Sequence, residues 1–111
     1  MAGKPFKDGP EYVANAAANI YTPAANTIAR IRHIHLTNKD SSARTVTLYI
    51  GATGGSAGGT EILKDKSIAV GDIFDLYFPA GLPITASDFL TGVASAATAV
   101  TITTSGEIEA A

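Results

Sequence analysis

At 111 residues the chain has room for one core and one domain, not two. Hydrophobic residues make up 46% but aromatics only 7%, with no tryptophan, so the core has to be built from small and β-branched side chains. A net charge of −2 argues against nucleic acid as a partner, because phosphate binding needs a basic excess. The absence of cysteine excludes disulfides, thiolate zinc sites and cysteine nucleophiles.

The opening MAGKPFKDGP carries two prolines and two glycines, so residues 1–10 read as an extended arm ahead of a single domain over residues 11–111. It has no apolar core segment, which is not the form of a secretory signal. Lys4, Phe6 and Lys7 are its contact residues if a partner orders the arm. No run approaches the roughly 18–20 apolar residues that cross a bilayer. The expectation is a soluble protein made in a cytoplasm, with no membrane partner.

Past Glu11 the sequence breaks into short runs separated by turn residues. NAAANI reads as one helical turn or a weak strand, and residues 27–37 as a strand between PAAN and NKDSSA. ARTVTLYI alternates cleanly, with Val46, Leu48 and Ile50 on one face. The glycine-rich GATGGSAGG reads as a flexible hairpin loop, followed by a short strand near residues 61–63. Residues 73–78 place Phe74, Leu76 and Phe78 inward and end at PAGLP. Residues 89–94 and 99–108 read as a last hairpin joined by SAAT, with Val100 and Ile102 on its inner face. Short strands at this spacing, with no amphipathic helix, predict an all-β antiparallel sandwich, jelly-roll-like or Ig-like.

RIRHIHL, residues 30–36, does not alternate as a plain strand does. Ile31 and Ile34 share a face only if one residue near Arg32 or His33 is bulged out. With that bulge Ala29, Ile31, Ile34 and Leu36 line the core while Arg30 and His35 face outward.

Two histidines one residue apart invite a metal reading. His33 and His35 resemble the first histidine pair of the cupins, and Gly71, Asp72, Pro79 and Gly81 resemble the frame of the second cupin motif. The position of the cupin glutamate holds Lys39 or Asp40, and LPIT follows Gly81 where a ligand histidine belongs. Two imidazoles without a third ligand make a poor metal site, so the expectation is a solvated strand face with no metal and no cofactor. The chain has no nucleophile elbow, and GATGGSAGG lacks the lysine of a phosphate loop. Asp65, Asp72, Asp75 and Asp88 lie near predicted turns, where aspartate caps the chain. No catalytic residue is indicated, and the expectation is a protein that is not an enzyme.

The surface is more informative. Arg30, Arg32, Lys39 and Arg44 make one predicted hairpin basic, while residues 61–75 and the pair Glu107 and Glu109 are net acidic. Opposite patches on a weakly charged domain suit contacts with like copies or with a lattice. The order YTPAANT, RIRHIHLTN, TVTLYIG, VGD, PAG and ASAATAVTITTSGEIEA resembles small β-sandwich structural proteins of tailed bacteriophage particles, over about residues 20–110. The resemblance implies a virion component, best matched by a capsid decoration (cement or staple) protein that bridges major capsid protein subunits. Its partners would be that coat protein and itself, as a homo-oligomer (dimer or trimer). Lys4, Phe6, Lys7, Arg30, Arg32, His33, His35 and Arg44 are the expected interaction residues. The alternatives are a tail- or fibre-associated β-domain, a carbohydrate-binding module using Tyr12, Tyr21, Tyr49 or Tyr77, and a degenerate cupin.

Overall fold

In the computed structural model, which describes residues 3–51 and 60–110, the alternating runs become eight strands. They are β1 (Lys4–Tyr12), β2 (Ala18–Tyr21), β3 (Thr27–Asn38), β4 (Arg44–Gly51), β5 (Glu61–Ile68), β6 (Ile73–Thr85), β7 (Phe89–Ala94) and β8 (Val100–Ala110). Strand makes up 71% of the described residues, and none of them is helical. NAAANI therefore supplies a strand, not a helical turn. The loop expected at GATGGSAGG lies almost wholly outside the described residues.

The strands pair antiparallel in two four-stranded sheets, β1-β8-β3-β6 and β2-β7-β4-β5. This is the order of a jelly roll, not of an Ig-like sandwich. Among consecutive strands only β4 and β5 are neighbours in one sheet; every other connection passes from sheet to sheet. The last two strands are thus not the hairpin that their short SAAT linker suggests. Alternation fixes which face of a strand is buried, but not which strand lies beside it.

Ile31, Ile34, Val46, Leu48, Val100 and Ile102 are fully buried between the sheets, as the alternation predicts, and Ile50, Phe74, Leu76 and Phe78 pack partly buried against them. Val13, Ile68, Ile84 and Leu90 complete the core. Ile84 belongs to it because β6 does not end at PAGLP. Phe78–Gly81 loop out against the single residue Arg32, and pairing resumes at Leu82 opposite Ile31. A fully buried asparagine ties the turns at one end of the sandwich: Asn38 Nδ2 donates to the Ser42 and Ile68 carbonyls at 2.9 Å each, and its Oδ1 accepts from Asp40 N. A buried amide with these bonds made avoids the cost of a stranded polar group.

The expected bulge is present. Ile31 pairs with Gly106 and His33 with Ser105, which leaves Arg32 as the extra residue. Ala29, Ile31, Ile34 and Leu36 are all fully buried on either side of it. The bulge brings the Arg30 carbonyl so close to Gly106 that a Cβ there would overlap its oxygen. Gly106→Ala is expected to lower stability by about 1–3 kcal/mol or more, as overpacking does, measured by urea denaturation.

One expectation is corrected. Residues 4–12 are not a free arm but the edge strand of the first sheet, paired with β8 from Lys4 opposite Ile108 to Tyr12 opposite Thr101 with a register shift between Asp8 and Glu11. Phe6 stacks on Tyr21 at 5.2 Å and packs against the core. An aromatic among prolines and glycines read as a tail; its burial on an opposing strand was not visible locally. The domain therefore begins ahead of residue 11.

Near the end of β1, burial and the neighbouring Asp8 push Glu11 up to about 7. The folded chain thus holds a proton that the unfolded chain, with an ordinary value of 4.5, gives up sooner. The resulting stabilisation is complete below about 4.5 and is lost as pH rises to about 7. Comparing denaturation midpoints across that window, wild type is expected to lose stability relative to Glu11→Gln as pH rises; parallel curves would contradict the assignment.

Candidate functional site on the outer face of the first sheet

The bulge turns consecutive side chains of β3, Arg32 and His33, to the same outer face, where Arg30, His35 and Thr37 also lie. Each finds its partner on a neighbouring strand. On the β8 side, Arg30 Nε donates to Glu109 Oε1 at 2.7 Å and Arg32 Nε to Glu107 Oε1 at 2.6 Å. Arg32 Nη1 also donates to the Pro79 carbonyl, holding the looped-out segment of β6.

On the β6 side, a single carboxylate oxygen takes both histidines. His33 Nε2 lies 2.7 Å and His35 Nδ1 2.5 Å from Asp75 Oδ1. His35 Nε2 is 3.1 Å from the Thr37 hydroxyl, and the His33 ring stacks on Tyr77 with centroids 4.6 Å apart and planes within 5°. The hydrogen bonds from His35 and His33 hold the Asp75 carboxyl below the usual carboxylate range. All three residues are partly exposed, and their ligand atoms lie within 4.8 Å of one another. A third side chain of a metal-ligating type, which the sequence did not reveal, therefore stands beside the two histidines. Asp75 is not a turn residue; it sits in β6 directly opposite His35. Asp72 and Asp88 do cap, accepting from Ile73 N and Thr85 N.

Beside His35 the face carries a shallow depression of about 490 Å³ between Tyr12 and Lys39, floored by Thr37, Thr101 and Thr103. Lys39 Nζ lies 5.9 Å from the centroid of the Tyr12 ring. Three large apolar side chains are at least half exposed on this same face: Tyr12 at 50%, Ile73 at 50% and Tyr77 at 64%.

The expected interaction residues are thus only partly gathered. Arg30, Arg32, His33 and His35 share one strand and one face, and Lys7 stands in the row of His33, opposite Ser105. Lys4 lies at the start of β1, and Phe6 is turned into the core. Arg44 belongs to the other sheet and pairs with Asp40 at 2.6 Å. The basic hairpin is not a basic patch, because its arginines are neutralised by acids of the same chain. Tyr12, Ile73, Asp75 and Tyr77 are residues the sequence reading left out of this face.

Charge reversal at Arg30 or Arg32 would therefore set like charges against Glu109 or Glu107 within the fold, which tests stability and not association. A double-mutant cycle on Arg32 and Glu107 is expected to give a coupling of about 0.2–1 kcal/mol, as for other exposed pairs, falling as salt is raised. No protein-family model and no curated protein matches this chain, so the reading of the face rests on its own chemistry.

Proposed function

We propose that the chain is a non-enzymatic virion structural protein, a capsid decoration protein that docks on major capsid protein subunits through the outer face of its first sheet. The observation that carries this reading is the gathering of Tyr12, Ile73 and Tyr77 on one sheet face. Exposed aromatics on a rigid sheet lose little side-chain entropy when covered, which makes them effective anchors. The phage-like order of strand motifs supplies the kind of partner. A module of this size binds weakly alone, but copies bridging adjacent shell subunits resist separation together.

Quantitative gels of purified phage particles test the proposal directly. The protein is expected in heads, at a copy number that follows the capsid lattice, and absent from isolated tails. A small copy number set by tail symmetry would favour the tail-associated reading instead. Tyr12→Ala is expected to weaken binding to heads about tenfold or more, as loss of an interface anchor does, with the far-UV spectrum unchanged. Undiminished occupancy by that variant would remove this face from the proposal.

A further inference from the structure

We propose that His33, His35 and Asp75 form a binding site for one divalent transition-metal ion of the zinc class, open to solvent on its remaining side. The inference is independent of what the face docks against. Its basis is the convergence of three ligand atoms, His33 Nε2, His35 Nδ1 and Asp75 Oδ1, from two adjacent strands. Two imidazoles and one carboxylate are a donor set that borderline divalent metals take, whereas magnesium and calcium prefer oxygen alone.

The spacing is compatible with a bound ion. Around a tetrahedral zinc ion with bonds near 2.0–2.1 Å, ligand atoms stand about 3.3 Å apart. The carboxylate oxygen now lies 2.7 Å and 2.5 Å from the two nitrogens, in hydrogen-bond contact. Admitting the ion asks the Asp75 oxygen to withdraw by less than about 1 Å. The two imidazole nitrogens, which with it lie within 4.8 Å of one another, close toward the same spacing by up to about 1.5 Å, on an exposed face where these side chains can turn.

The surroundings fit as well. No lysine or arginine forms an ion pair with Asp75 among the described residues, because the nearby arginines of β3 are paired with Glu107 and Glu109. Binding exchanges two N–H···O hydrogen bonds for two N–metal bonds and one O–metal bond. An imidazole that ligates through one ring nitrogen carries its proton on the other. For His35 that nitrogen is Nε2, and the Thr37 hydroxyl oxygen is placed to accept from it. An outer hydrogen bond of this kind fixes the tautomer of a ligating histidine. The Tyr77 ring holds the plane of His33. Each of these supports lies on the same rigid sheet as the ligands.

Calorimetric titration of the purified full chain with zinc chloride at neutral pH tests the site, with magnesium chloride as the comparison ion. Wild type is expected to bind one zinc ion per chain saturably and to show no response to magnesium. His35→Ala and Asp75→Ala are each expected to weaken zinc binding at least tenfold while the far-UV spectrum is preserved. If either variant fails to fold, Asp75→Asn keeps the shape and removes the charged ligand, and the same loss is expected. Absence of saturable zinc binding by wild type would overturn the site, as would wild-type affinity in a folded Asp75 variant.

Discussion

The single extra residue at Arg32 decides what this protein presents to its surroundings. In an uninterrupted strand, the phase that buries Ala29 and Ile31 would send His33 and His35 into the core and leave Ile34 and Leu36 in water. The bulge resets that phase, so four apolar side chains go inward and the polar ones go outward on both sides of it. It has two local requirements. Gly106 must be without a side chain where the Arg30 carbonyl presses on it, and β6 must loop out four residues, with Gly81 at a φ of 77°, to stay in register. The Pro79 carbonyl in that loop is held by Arg32 itself. The bulged residue thus fastens the neighbouring strand that its own insertion displaced.

Reading the sequence reached the sandwich, the bulge and most of the inward-facing positions because each is a matter of local period. Val46, Leu48, Phe74 and Leu76 announce their face through their immediate neighbours. What was not legible was adjacency. Asp75 reads as a turn residue although it falls inside the alternating run 73–78, and nothing near it in sequence places β6 beside β3. The same gap hid the arginine–glutamate pairs, since Arg32 and Glu107 are 75 residues apart. Phe6 was misread for a related reason: its packing partner Tyr21 lies across the sandwich, and prolines and glycines around it suggested a tail. In a jelly roll nearly every connection changes sheet, so sequence neighbours are poor guides to spatial ones.

Internal pairing changes what kind of recognition the outer face can support. With Arg30 and Arg32 matched by Glu109 and Glu107, what stands outside arginine–glutamate pairs on this face is the Asp75 carboxylate, shared by two histidines, and the lysines Lys7 and Lys39. That mixture of signs leaves little net field to steer a distant partner. Affinity on such a face comes from contact area and aromatic anchors, and discrimination from the geometry of imidazole, hydroxyl and phenol groups. That pattern suits a partner already held at high local concentration, as on a lattice, better than one captured from dilute solution.

The edges of the two sheets point the same way. A sheet edge is the usual route for strands of different chains to join, through unpaired backbone groups. Here each edge is blunted. β1 carries Pro5 and Pro10 with Lys4 and Lys7, and β6 carries Pro79 and Pro83 around its looped-out segment. β2 is only four residues long, and β5 is bulged and studded with Lys64 and Lys66. Proline cannot donate to a ladder, and lysine resists burial against another strand. Association by strand addition is therefore disfavoured at all four edges. The faces are left as the surfaces on which copies or partners can pack, and the outer face of the first sheet is the one that carries exposed aromatics.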